Sequence, residues 1–133
     1  MEKITLDAGF DSFDEQWAPR LAATPNDHEV KLARIEGAFV WHSHPDSDEL
    51  FLVHEGTVTV ELRGHDDVTL SAGELFVVPA GVEHRPVADE EAKILLFEAE
   101  DTRNTGDTGG ERTQTGTPTL AVGAEGGGAS DTE

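Results

Sequence analysis

Short runs of alternating apolar and polar residues occupy most of the chain before residue 101. They are VKLARI from Val30, AFVWHSH from Ala38, ELFLVHEGTVTVEL from Glu49, VTLSAGELFVVPAG from Val68 and KILLFEAE from Lys93. Each run is rich in β-branched and aromatic residues, and glycine, proline or acidic residues separate the runs, as in strands joined by tight turns. Since no long helical period occurs, the pattern predicts an all-β fold, either a barrel or a sandwich.

The residues before the first strand predict a short helical turn. Ser12 precedes Glu15 by three positions, which is the spacing of a capping box at a helix start, and Pro19 would end the helix. We therefore expect an N-terminal arm with a short helix over residues 1–27, followed by a barrel over residues 28–100.

The sequence changes character after residue 100. Residues 101–133 hold 8 of the 14 glycines and only two large apolar residues, Leu120 and Val122. Such a segment buries too little apolar surface to offset the entropy lost on ordering. The composition therefore predicts a disordered tail that is rich in acidic residues, glycine and threonine.

The chain is strongly acidic along its whole length. Its 28 acidic and 9 basic residues give a formal net charge of -19, which repels phosphate backbones and anionic lipids. We therefore expect neither nucleic acid nor a membrane surface as a partner. The acidic residues and the scarcity of lysine favour a halophilic protein, because about 1 M salt shortens the screening length to about 3 Å. An acidic protein from an ordinary cytosol is the alternative.

Cysteine is absent from the sequence, so a disulfide framework and a thiolate metal site are both excluded. Any metal must then be held by nitrogen and oxygen. The first ten residues, MEKITLDAGF, lack the apolar run of a signal peptide, and no stretch has the length of a membrane span. The expected location is the cytoplasm.

Three histidines and one glutamate form a candidate metal site. In a strand, alternate side chains share a face, so His42 and His44 point the same way, and Glu49 opens the next strand beside them. His84 follows the Pro-Ala-Gly of residues 79–81. Taken alone, the His-x-His pair fits exposed or hydrogen-bonded histidines as well as metal ligands.

The glycines and proline around these residues complete two longer motifs. HSHPDSDELFLVHEG runs from His42 to Gly56, and GELFVVPAGVEHRPVA contains a PxGxxH arrangement that ends at His84. Both resemble the paired motifs of small single-domain cupins, the type-2 or mannose-6-phosphate isomerase-like group, whose fold is a double-stranded β-helix (jelly-roll) barrel. The sequence departs from that pattern in two places. Ala88 stands where cupins usually carry asparagine, and Gly37, the glycine that precedes the first motif, lies one residue closer to His42 than usual.

The resemblance implies a divalent metal ion bound by His42, His44, Glu49 and His84. Imidazole and carboxylate ligands suit Fe, Mn, Ni, Cu or Zn, and four ligands on a six-coordinate ion leave two positions for a small-molecule ligand or substrate. The resemblance implies dioxygenase, isomerase or lyase chemistry if the protein is an enzyme. Small cupins are often homodimers, so we also expect a homodimer.

The sequence supplies few further catalytic groups. Tyrosine and cysteine are both absent, which excludes a phenolic acid or base and the Cys-Tyr cross-link of thiol-oxidising cupins. The catalytic residues are therefore unassigned. A non-catalytic metal- or ligand-binding module, or a structural dimer stabilised by its metal, is the alternative function.

Strand alternation also predicts which side chains surround the metal. One set could line a hydrophobic cavity around the metal, although ordinary core packing is the favoured explanation: Phe51, Val53, Phe76 and Val78. Another is expected on the opposite face: Phe39, Trp41, Leu50 and Leu52. His54 is predicted to have a structural role on that opposite face, whereas the register leaves the direction of Glu61 and Glu98 open.

Overall fold

The structure is a computed structural model that describes residues 2–100 and 116–121. Most of the predicted disordered tail, residues 101–115 and 122–133, lies outside the described residues. One short helix and seven strands follow one another: α1 Leu6–Asp11, β1 Arg20–Ala23, β2 His28–Ala38, β3 Glu49–Glu55, β4 Thr57–Leu62, β5 Val68–Ser71, β6 Leu75–Val78 and β7 His84–Ala99. The predicted all-β, jelly-roll-like architecture is confirmed.

Strand β7 is the centre of the sheet. All strand pairs are antiparallel, in the order β1-β2-β7-β3-β6, and β4 joins the first part of β7 to β5. Buried and less buried residues alternate along most of β7, because successive side chains of a strand point to opposite faces. The inward residues of the strands form one apolar core that includes Val53, Val58, Val60 and Ile94.

The predicted strand AFVWHSH is wrong. Strand β2 ends at Ala38, just after Gly37, whose φ of +84° lies outside the extended region. Residues 39–48 are then irregular except for one antiparallel bridge, in which His42 and His84 exchange backbone hydrogen bonds of 3.0 and 2.8 Å. A further backbone hydrogen bond of 3.1 Å runs from the Phe39 amide to the Pro86 carbonyl in β7. The segment is therefore not a continuous strand, and side-chain alternation does not apply along it.

The short helix exists, but it lies before Ser12 and not after it. Helix α1 ends at Asp11, and the Ser12 hydroxyl donates a 2.7 Å hydrogen bond to the carbonyl of Gly9, so Ser12 caps the C-terminus. Phe10 is fully buried against Leu32 and Leu120. Burial of this aromatic ring outweighs the weaker capping signal on which the prediction depended.

Two segments that were expected to be irregular join the sheet instead. Strand β1 pairs with β2, and residues 116–121 lie against β1 on its other side. There Leu21 donates to the Pro118 carbonyl and accepts from the Leu120 amide, both at 2.8 Å. The prediction of a disordered tail is therefore wrong for residues 116–121, because Leu120 reaches the apolar cluster around Phe10.

Candidate metal centre

The fold brings the four predicted ligands together. His42, His44, Glu49 and His84 each offer a ligand atom, and these atoms all lie within 4.8 Å of one another. All four residues are buried, with at most 5% of their surface exposed. Glu49 is the first residue of β3 and His84 the first of β7, whereas both other histidines lie in the irregular segment between β2 and β3.

Two turns hold the ligand segments against each other. The amide of Gly81 donates to the His44 carbonyl at 3.0 Å, and the amide of Ala80 donates to the Asp48 carboxylate at 2.9 Å. Gly81 has a φ of +84°, a conformation that glycine adopts without strain. Asp48 lies in the irregular segment just before Glu49.

Backbone carbonyls fix the orientation of two imidazoles. Nδ1 of His42 donates to the Val40 carbonyl at 3.0 Å, and Nδ1 of His84 donates to the Val82 carbonyl at 2.8 Å. Each ring then turns Nε2 towards the centre of the site. Such a second hydrogen bond commonly sets the tautomer and the ring orientation of metal-binding histidines.

Two of the imidazoles meet one carboxylate oxygen. Nε2 of His44 lies 3.0 Å from Oε1 of Glu49, and Nε2 of His84 lies 3.2 Å from the same atom. Because Nδ1 of His84 already donates to a carbonyl, a neutral His84 ring would direct the Nε2 lone pair at the carboxylate. A proton or a cation between the two atoms removes that repulsion, so the geometry fits a shared metal ion.

The electrostatics favour the protonation states that bind metals. Burial and the neighbouring His84 lower the pKa of His42 to about 4, so this ring is neutral at neutral pH. Burial alone would raise the pKa of Glu49, but its interactions with His44, His84 and Glu98 outweigh burial and hold that pKa well below the usual range. Neutral imidazole and ionised carboxylate are the coordinating forms of these side chains.

A small apolar cavity opens beside the ligands. Its volume is about 40 Å³, enough for a few water molecules. It is lined by Trp17, Pro19, Ala33, Ile35, Phe39, His42, Glu49, Phe51, Pro86, Ile94 and Leu96. Aromatic edges meet two ligands there, since the Phe39 and His42 ring centroids are 5.4 Å apart and those of Phe51 and His84 are 5.9 Å apart.

Phe51 lines the cavity, and the prediction for Phe39 is wrong. Phe39 was expected on the opposite face, but the chain leaves the sheet after Ala38, and the ring turns into the cavity and stacks on Trp17 at 4.7 Å. The other three candidates pack in or against the apolar core, which was the favoured explanation for them: Val53, Phe76 and Val78.

Two other residues predicted to lie away from the metal do so, Trp41 and His54. Trp41 packs against Arg63 and Arg85, whose guanidinium groups are 4.2 and 5.1 Å from the centre of its rings. His54 has the predicted structural role: it stacks on Phe10 at 5.3 Å and its Nε2 contacts Asp7 at 2.8 Å.

Two buried charged residues lie next to the ligands: Lys31, which sequence reasoning missed, and Glu98, whose direction it left open. Nζ of Lys31 lies 2.8 Å from Oε2 of Glu98, and Glu98 stands directly opposite Glu49 on the adjacent strand. Burial and the Glu49 carboxylate raise the pKa of Glu98 well above its usual range, against the opposing effect of Lys31. In VKLARI, Lys31 shares a strand face with the apolar residues Ala33 and Ile35. This spacing could have shown that the Lys31 side chain points inward.

Comparisons with known proteins agree with this geometry. The family model described as a cupin domain matches residues 28–98. The solved structure of a cupin-2 domain containing protein from Shewanella frigidimarina NCIMB 400 aligns with a TM-score of 0.71 at 46% identity, covering 73% of this chain and 94% of that one. Protein NMB1881 from Neisseria meningitidis aligns with a TM-score of 0.69 at 28% identity, covering 74% of this chain and 100% of that one.

A curated relative gives a shorter match. The uncharacterized protein YdbB of Bacillus subtilis (strain 168) is 43% identical over 60 residues, which is 45% of this chain and 53% of YdbB. The match therefore spans about half the length of that relative. Among residues 2–100 and 116–121, no helix is long and apolar enough to cross a membrane.

Proposed function

This chain belongs to the cupin domain family, and we propose that it binds one divalent transition-metal ion through His42, His44, Glu49 and His84 and acts on a small molecule there. The single observation that carries the proposal is the convergence of four buried ligand atoms within 4.8 Å. Three imidazoles and one carboxylate suit Fe, Mn, Ni, Cu or Zn. Such an ion supplies a Lewis acid with open coordination positions.

The cavity supports a small ligand with an apolar, uncharged body. His42 and Glu49 are the only ionisable side chains among the residues that line it. No cation among these lining residues is available to bind a phosphate, which disfavours the sugar phosphates that some cupins isomerise. Phe39 and Phe51 would exclude water and orient the apolar part of a substrate against the ligand set.

Metal analysis of the purified protein tests this function. We expect close to one equivalent of metal per chain after loading and dialysis, and none in a His42→Ala/His84→Ala variant. His65→Ala, in an exposed turn, is the matched control and should keep the metal. Equal metal in the wild type and the double variant would refute the site.

A second assay separates an enzyme from a binding module. Oxygen uptake by the iron-loaded protein with a panel of diketones and phenols tests dioxygenase chemistry. The absence of tyrosine and cysteine from the sequence favours the alternative, a non-catalytic metal- or ligand-binding module or a structural dimer. No turnover with a tightly bound metal would support that alternative.

We also propose a homodimer formed through the outer face of the sheet. Two apolar rows cross this face: Val77, Leu50, Phe97 and Val30 in one, and Leu75, Leu52 and Leu95 in the other, which continues to Leu32 beneath Phe10 of the same chain. Leu75 and Val77 are 58% and 41% exposed. Outside the described residues the only large apolar side chains are Met1 and Val122, so a second copy is the better-suited partner for this face.

Sedimentation velocity tests the dimer. A Leu75→Lys/Val77→Lys variant should be monomeric at concentrations where the wild type is dimeric, because it places charges in the apolar contact. His65→Lys adds a charge in an exposed turn and should leave the dimer intact. A wild-type protein that stays monomeric at all concentrations would refute the proposal.

We further propose that the protein works in the cytoplasm of a cell with concentrated salt. The support is the net charge of -19, with only three lysines in 133 residues. Screening reduces the mutual repulsion of these carboxylates. The melting temperature should therefore rise between about 0.1 M and about 2 M KCl, and a flat or falling curve would count against this proposal.

A further inference from the structure

Lys31 is a charged residue inside the barrel. Only 1% of its surface is exposed, and its ammonium group lies 2.8 Å from Oε2 of Glu98 and 3.3 Å from Oε1 of Glu29. Burial would lower the pKa of Lys31, but the two carboxylates outweigh burial and raise it, so the side chain remains an ammonium ion. A buried charge persists only when such partners balance its desolvation.

The partner of this lysine adjoins the metal centre. In the register of the sheet Glu29, Glu98 and Glu49 stand opposite one another on β2, β7 and β3. Glu98 is 2% exposed. Its Oε1 atom is buried and has no partner at full hydrogen-bond distance in the described part of the chain, so its interaction with Glu49 is weaker than a full hydrogen bond.

Stability alone is a poor explanation for this ion pair. Buried ion pairs can often be replaced by apolar residues of similar size at little cost, because desolvation cancels much of the attraction between the charges. The inward neighbours of Lys31 on β2, Ala33 and Ile35, show that apolar residues are accommodated on this face. A lysine and a glutamate kept next to a metal ligand therefore indicate a role at the metal centre.

We propose that Lys31 and Glu98 act together as positioning residues for Glu49, a role that rests on the proposed metal function. The ammonium group holds one oxygen of Glu98 on the side away from the metal ligands. Glu98 then cannot turn towards the ion and compete with Glu49. Its second oxygen stays beside Glu49 and limits the orientations of that carboxylate, so one ligand geometry is favoured.

Metal titrations of the full chain test this role. The variants are Lys31→Met, Glu98→Gln and the charge-neutral Lys31→Met/Glu98→Gln, with Mn(II) and Co(II) as probes. Each single variant should bind Mn(II) about 10- to 100-fold more weakly, the usual cost of removing an outer partner of a metal ligand. The visible absorption of the Co(II) form should also change, since it reports the ligand geometry directly.

The controls separate a positioning role from a structural one. Lys93→Met removes a surface pair, in which Nζ lies 2.9 Å from Oε1 of Glu55 and Glu55 is 62% exposed, and should leave affinity and spectrum unchanged. If Lys31→Met does not fold, the double variant carries the test because it removes both charges of the Lys31–Glu98 pair, and the remaining Glu29 carboxylate has 17% of its side chain exposed to water. If these variants bind Mn(II) within twofold of the wild type and keep its Co(II) spectrum, the positioning role is overturned but the proposed metal site is not. A wild type that binds no metal would overturn the proposed function together with it.

Discussion

In the described part of the chain, a histidine contacts a carboxylate in two places, which differ chiefly in burial. His44 and Glu49 are 3.0 Å apart with 5% and 6% of their side chains exposed, whereas His54 and Asp7 are 2.8 Å apart with 26% and 79% exposed. The contact distances are similar, but water screens the second pair and not the first. The difference indicates that burial, and not the distance between the histidine and the carboxylate, makes a proton or a metal ion between them necessary.

The largest difference between the two pairs should appear in metal affinity. Glu49→Gln removes the only carboxylate of the ligand set. We expect it to weaken Mn(II) binding by more than about 100-fold, which exceeds the usual effect of removing a residue that hydrogen-bonds to a metal ligand. Asp7→Asn makes the same chemical change at the exposed pair and should leave the affinity unchanged. Isothermal titration calorimetry on both variants measures this. Equal affinities would show that the buried pair is no more than a structural contact.

Metal should also stabilise the fold through the buried pair only. A metal ion present at a hundred times its dissociation constant raises the free energy of unfolding by about 2.7 kcal/mol, which is roughly 10 °C in melting temperature for a domain of this size. His54→Ala should show the same metal-induced rise as the wild type. Differential scanning calorimetry with and without a chelator measures it, and a shift that His54→Ala abolishes would contradict the comparison.

The smallest effect should be the pH dependence of the exposed pair. The hydrogen bond from His54 lowers the pKa of Asp7 below its usual value. A carboxylate with a depressed pKa contributes stability above its unfolded pKa and loses it as the pH falls through the folded pKa. Asp7→Asn should therefore melt slightly below the wild type at pH 6, and the two melting temperatures should converge once the pH falls below the folded pKa of Asp7.

The candidate site was largely predictable from the sequence, because its four members lie in two motifs with fixed internal spacing. The strands β3 to β6 were also predictable, since alternation and glycine turns are local signals. Lys31 was missed, and the direction of Glu98 was left open, for a different reason. Their contact depends on how β2, β7 and β3 pair. The register of strands that are distant in the chain cannot be deduced from a local sequence pattern.

The remaining errors also have tertiary causes. The strand expected from Ala38 failed because Gly37 changes the direction of the chain, so Phe39 enters the cavity. The helix lies before Ser12 because burial of Phe10 outweighed a capping pattern, and Leu120 is ordered by the same apolar cluster. Each error arose where packing between distant segments overrode a local preference.

The contact between Leu21 and Thr119 has a kinetic consequence. It joins segments about a hundred positions apart in the chain, and closing so large a loop costs more entropy than forming the β4–β5 hairpin. We therefore expect residues 118–120 to join β1 last, after the arm that carries β1 has paired with β2 through contacts that are local in the chain. The apolar cluster around Phe10 would then be completed only when Leu120 arrives.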